Sequence, residues 1–172
     1  PAWILGSSLF GAQLAAMLGL PFAFASHFAP AQMMQAIDIY RSTFKASAQL
    51  AKPYVMLGYG VFAAPTDAEA NDLVTSMQQA FVNLRTGRPG KLPPPRPGYY
   101  DNAGPQERAV LDTVMSCYAI GSPQTVLDKV QAFIDLTGAD ELMVPTQMFD
   151  HALRVRSYEL LAQVQPQLRK AG

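Results

Sequence analysis

Residues 3–8 read Trp-Ile-Leu-Gly-Ser-Ser, and Leu9-Phe-Gly-Ala-Gln-Leu-Ala-Ala-Met-Leu18 follows directly. The first residues form a short apolar strand over 2–5 that Pro1 opens. Gly6, Ser7 and Ser8 make the turn, and a helix over 9–18 leaves it with Phe10, Leu14, Met17 and Leu18 on one face and Gly19 as its stop. A strand feeding a helix through Gly-Ser-Ser is the first half of a β/α repeat. Free N–H groups at such a helix start, beside two hydroxyls, suit a phosphate. The same three residues also make an ordinary capped turn, so the motif alone leaves both uses open.

The pattern repeats outward from that stretch. A buried strand over 22–26 leads through His27-Phe-Ala-Pro30 into a helix over 30–44, with Met33, Ile37, Tyr40 and Phe44 on its inner stripe. A third strand, 54–63, precedes a helix over 66–84 that starts at a Thr66/Glu69 capping box and carries Leu73, Met77, Phe81 and Leu84 inward. Residues 85–105 contain Lys91-Leu-Pro-Pro-Pro-Arg-Pro-Gly98, which cannot join a sheet or a helix interior and reads as an extended surface excursion. A helix over 106–118 returns the chain, with Val110, Leu111, Val114 and Met115 inward. Ser122-Pro123 opens the next helix, 125–137, with Val126, Val130, Phe133 and Ile134 inward and Gly138 as its stop. The last strand spans 141–145, and Asp150 caps a final helix over 151–163.

Continuously apolar strands separated by helices imply a parallel sheet covered by helices. Four such units in 172 residues make one α/β domain over 1–172 and about half of a TIM (β/α)8 barrel, which needs eight strands and about 250 residues. Half a barrel leaves two parallel edges unpaired, and unpaired edges invite another chain.

Composition narrows the chemistry. Hydrophobic residues are 49% and charged residues 15%, so the chain buries a core and hints at surface hidden by a partner. Zero net charge without a basic run argues against nucleic acid. The longest apolar stretches, 21–31 and 54–65, are too short to span a bilayer, and no signal-like segment appears; a cytoplasmic protein fits. One cysteine, Cys117, and two histidines leave no disulfide and no expected metal site. No Ser-His-Asp order, Gly-x-Gly-x-x-Gly or Walker loop is present. The eight methionines read as core filler.

Five segments together carry a family likeness: Trp3-Ile-Leu-Gly-Ser-Ser8, Ala15-Ala16 to Gly19-Leu-Pro-Phe22, Ala25-Ser-His-Phe28, Gly121-Ser-Pro-Gln-Thr125 and Gly138-Ala-Asp-Glu-Leu-Met-Val144. In order and spacing they resemble the C-terminal half of the bacterial luciferase-like flavin monooxygenases, over almost the whole chain. The resemblance implies a TIM barrel that uses FMN, reduced by NAD(P)H or supplied as FMNH2, to activate O2 against a small organic substrate. It implies that Leu5, Gly6, Ser7, Ser8 and Leu9 lie against FMN and grip its phosphate; Ser26, beside His27 at the end of the second strand, is a separate candidate to face the flavin, with an ordinary loop serine as the alternative. His27, just past the second strand, is the candidate catalytic residue, for hydrogen bonding or proton handling near neutral pH; a satisfied loop histidine is the alternative. In the family the first half of the barrel supplies much of the isoalloxazine pocket, and that half is not in this sequence. The expected partners are therefore the missing N-terminal half or a second copy. The alternatives are a non-catalytic, self-associating half-barrel and a relative that uses deazaflavin F420.

Overall fold

In a computed structural model, residues 2–171 are described; Pro1, expected to open the first strand, lies outside them. In chain order the elements are β1 (Ile4–Gly6), α1 (Leu9–Leu18), β2 (Phe22–Phe24), a 3-10 turn (Pro30–Gln32), α2 (Met33–Thr43), β3 (Val55–Gly58), β4 (Gly60–Ala63), α3 (Asp67–Leu73), α4 (Thr75–Arg85), α5 (Pro105–Met115), β5 (Tyr118–Gly121), α6 (Pro123–Thr137), β6 (Glu141–Met143) and α7 (His151–Val164). The α/β class with parallel strands is as expected. Contacts gather into two compact units, where the length alone suggests one domain.

The first unit holds the residues up to Tyr59, Phe133–Val144 and the residues from Lys170. Its sheet runs β1-β2-β3-β6, all pairs parallel, and these are the four strands legible in the sequence. On the helix-packed side Phe22, Val55 and Leu57 are fully buried against Ala12, Ala15 and Ala16 of α1 and Ala36, Ile37 and Tyr40 of α2. Burying a Phe or Leu side chain contributes about 1.5–3 kcal/mol each. Tyr40 is buried with its hydroxyl satisfied twice: it donates to the Leu20 carbonyl at 2.9 Å and accepts from the Tyr54 N–H at 3.1 Å. Arg41 of α2 donates to the carbonyls of Thr137 and Gly138, closing the C-terminal end of α6.

Helix α1 departs from its expected orientation. Its small residues, Gly11, Ala12, Ala15 and Ala16, face the protein, and Phe10, Met17 and Leu18 are exposed. The reason is close packing: Gly11 lies against Gly6 and Phe22 of the sheet, the buried alanines let α1 approach its neighbours, and the larger side chains turn outward. β1 and β6 are the sheet's edges.

The second unit spans Gly60–Ala132 and Pro145–Arg169. Its strands β4 and β5 pair in parallel, Gly60 with Tyr118 through Ala63 with Gly121. The expected strand over 54–63 is divided at Tyr59, and the expected helix over 66–84 is divided at Val74. The expected helix over 106–118 ends at Met115, and β5 follows in place of its last turn. Phe62, Val74, Met77, Phe81, Val114, Tyr118 and Met148 form this unit's core. Thr66 accepts from the Glu69 N–H and caps α3, and Asp150 accepts from the Leu153 N–H and caps α7. The Pro-rich segment is strapped down rather than loose. Arg96 N–H donates to Thr75 Oγ1 at 2.8 Å, and Gln79 Nε2 donates to the Pro94 carbonyl at 3.0 Å. Cys117 is buried just before β5, and burial pushes its thiol up to about 11, which leaves it unreactive.

Gly19 ends α1 in the left-handed conformation, φ +64°, and a Cβ there would stand 2.5 Å from the Lys45 carbonyl oxygen. Gly19→Ala is therefore expected to cost about 1–3 kcal/mol. Chemical denaturation of the two proteins measures this, and an unchanged midpoint would contradict the role assigned to this turn.

Candidate functional site

Along a strand, alternate side chains leave opposite faces of the sheet. In the first unit Val55 and Leu57 go to the helices, so Met56 and Gly58 go to the other face. The register carries that face across the sheet: Leu5 pairs with Ala23, Ala23 with Met56, and Gly58 with Met143. These residues, with Trp3, Phe24, Ala25, His27 and Phe28, line a cavity of about 470 Å³. Its wall is apolar except for His27, the one titratable side chain that lines it. Leu5 and Met143, on the two edge strands, are 72% and 56% exposed, so the cavity is open on both flanks.

Beside this cavity β1 ends and α1 begins. Ala25 N–H donates to the Gly6 carbonyl at 2.9 Å, which ties the turn after β1 to the end of β2. Ser8 sits at the N-cap position with extended backbone, φ −144° and ψ 168°, but its side chain caps nothing. No acidic residue occupies the first turn. The N–H groups at this helix start, two exposed hydroxyls from Ser7 and Ser8, and the positive end of the helix dipole are together available to an anion. Gly6 has no structural requirement to be glycine. Its φ is not positive, and an added Cβ would meet Gly11 Cα at 3.5 Å, an ordinary contact. That Cβ would also lie 3.8 Å from the Phe22 ring, so it would point to the helix-packed side of the sheet and not into the cavity.

Of the residues singled out in the sequence, Leu5 and His27 line the cavity, and Gly6, Ser7, Ser8 and Leu9 form the adjoining turn. Ser26 has another first partner. It is fully buried, and its hydroxyl donates to the Gly58 carbonyl at 2.7 Å. His151 lies against Arg154, with 2.9 Å from its Nδ1 to the guanidinium, on α7 of the second unit. Sequence reasoning missed Trp3, Ala23, Met56, Gly58 and Met143 as cavity residues. Alternation within each strand was the available signal, but the strands are apolar on both faces and do not say which face is hollow.

Partial burial lowers the His27 imidazole below its ordinary value, so the neutral ring is favoured.

Comparisons with known proteins give the family and the fold of the chain as a whole. The family described as luciferase-like monooxygenase matches residues 1–141, and the chain belongs to that family. A luciferase-like monooxygenase of Escherichia coli (strain K12) is 48% identical over 168 residues, covering 98% of this chain and 50% of that protein. Among solved structures, apo-MsnO8 superposes with a TM-score of 0.77 at 31% identity, over 98% of this chain and 51% of that one. The oxygenating constituent of 3,6-diketocamphane monooxygenase from Pseudomonas putida, solved in complex with FMN, gives a TM-score of 0.64 at 22% identity, over 98% and 49%. The coenzyme F420-dependent tetrahydromethanopterin reductase of Methanopyrus kandleri gives 0.63 at 14%, over 98% and 51%. The last two likenesses concern the fold alone. The chain spans about half the length of the curated relatives it matches, and its fold is that of half a luciferase-like TIM barrel. None of the described helices is long and apolar enough to cross a membrane.

The His27 environment has a pH signature. Its folded-state value lies below the unfolded one, so between the two values the unfolded chain binds more protons and stability falls as pH is lowered. The fall begins near the ordinary histidine value, about 6.5. Urea denaturation at pH 8 and pH 5.5 is expected to show this loss in the wild type and a smaller one in His27→Gln. Equal losses in both proteins would assign the pH dependence to other groups.

Proposed function

We propose that this chain is the cofactor-gripping half of a cytoplasmic FMN-dependent oxidoreductase of the luciferase-like class, oxidising a small organic substrate with O2. One observation carries the reading: the uncapped start of α1, with the Ser7 and Ser8 hydroxyls, comes just after Leu5, which lines the apolar cavity of about 470 Å³. A flavin mononucleotide has that pair of chemistries, a dianionic phosphate and a flat, largely apolar ring. The residues present fit it.

In this reading the N–H groups and hydroxyls from Gly6 to Leu9 hold the phosphate, and Leu5 lies against the ring system. Ser26 holds the end of β3 through the Gly58 carbonyl and thereby shapes the wall near the flavin. His27 offers the cavity's single polar, titratable side chain, which can hydrogen-bond the ring or substrate or carry a proton. The apolar wall excludes water from the reacting atoms. Reduced FMN, formed with NAD(P)H or supplied as FMNH2, brings the electrons for O2 activation. F420 has a similar ring and carries its phosphate as a singly charged diester, and competition between the two cofactors separates them.

The other half of the cavity wall would come from an N-terminal half of the relatives' length, seated on the open edge of β1 and on the exposed Phe10, Met17 and Leu18 of α1. The same exposed stripe supports a second reading, a half-barrel that self-associates without flavin. Sedimentation of the purified chain distinguishes a stable flavin-free dimer from a monomer.

Titration with FMN, followed by quenching of flavin fluorescence, tests the first reading. Ser7→Ala and Ser8→Ala are expected to weaken binding about 5-fold or more, each through the loss of a hydroxyl hydrogen bond to a charged group. Their denaturation midpoints are expected to stay within about 1 kcal/mol of wild type, since neither side-chain position is needed for packing. Binding that is saturable but indifferent to both substitutions would remove the phosphate from this turn.

A further inference from the structure

Gly58 ends β3 on the cavity side, and its surroundings set it apart from Gly6. A Cβ placed on it would stand 2.1 Å from His27 Nδ1, 2.8 Å from Cε1 and 3.2 Å from Cγ. No side chain fits there while the imidazole keeps its place. The φ of Gly58 is not positive, so the backbone makes no demand for glycine; the demand comes from the ring lying against the strand.

The order of those distances also orients the ring. The Nδ1–Cε1 edge faces Gly58, so the opposite edge, with Cδ2 and Nε2, is turned away from the strand. The Gly58 carbonyl is itself held from behind by the Ser26 hydroxyl at 2.7 Å, and Ser26 is fully buried. Ser26 and His27 are neighbours in sequence on the turn that follows β2. One residue grips the Gly58 peptide while the next lays its ring across the same glycine.

We propose that Gly58 is a positioning residue for His27: the missing side chain seats the imidazole on the strand end and presents its Nε2 edge to the apolar cavity. The seat is a property of this chain alone. Its consequence for ligand binding rests on the flavin reading above.

A double-mutant cycle on the purified chain tests this with three readouts. Gly58→Ala in the wild type is expected to lower Tm by at least about 4 °C. In a His27→Ala background, where the ring is gone and the space is free, the same substitution is expected to shift Tm by less than half as much. In NMR spectra the His27 ring resonances are expected to move in Gly58→Ala, and its titration midpoint to rise toward the ordinary histidine value as the ring is pushed into solvent. FMN affinity is expected to fall in Gly58→Ala by about as much as in His27→Ala, with little further loss in the double variant. Equal Tm losses in both backgrounds, including unfolding of both variants, would overturn the proposal, as would His27 resonances and titration that do not move. If the chain binds no FMN, the stability cycle and the ring spectra still decide the seat, and the flavin reading alone fails.

Discussion

Parallel pairing of β1, β2, β3 and β6 in one register is the constraint on which the rest of the first unit depends. It sends alternate side chains to two faces, and the faces have different fates. One receives α1 and α2 and closes around Phe22, Val55, Leu57 and Tyr40. The other receives no helix from the same unit and remains a hollow. A slip of one residue in β3 would put Val55 and Leu57 into the hollow and Met56 against the helices. Cavity and core are therefore two readings of the same hydrogen-bond ladder.

The helices are fitted to that sheet by local chemistry. α1 presents Gly11 to the sheet and buries its alanines, and its large apolar side chains point outward. Gly19 turns the chain sharply, and Arg41 closes the end of α6 from α2. α1 also begins without a side-chain cap, as do α2 and α4, whereas Thr66 and Asp150 cap α3 and α7. An uncapped helix start costs stability in an isolated protein, and it is the feature that leaves N–H groups for a bound anion. Exposed Phe10, Met17 and Leu18 carry a similar tension, because apolar surface of that kind is ordinarily covered.

Around His27 the tension is steric. Its ring occupies the volume where a side chain at Gly58 would be, and Ser26 holds the peptide beneath it. Two glycines near the cavity differ in this respect. At Gly58 the His27 ring fills the space of a side chain; at Gly6 an added Cβ would make only ordinary contacts with Gly11 and Phe22 on the helix side.

Much of this was legible without coordinates. Helix α1 falls on the predicted residues, the four strands of the first sheet stand near their predicted positions, and Thr66, Asp150 and the inner stripe of α6 serve as expected. These features are local: a cap, a 3.6-residue period or a run of apolar residues between turns is written in neighbouring positions. The likeness to luciferase-like proteins was legible for the same reason, through short segments in a set order. The division of 54–63 at Tyr59, the strand β5 in place of a helix end, and the outward turn of Phe10 and Met17 were not legible. Each depends on a partner distant in the chain: Tyr118 opposite Gly60, or α2 against the alanines of α1. Which strand face is hollow, and that Gly58 is the seat of His27, also came only from tertiary structure. Apolar residues on both faces of a strand look alike in sequence, and only packing decides which of them meets a helix and which meets a cavity.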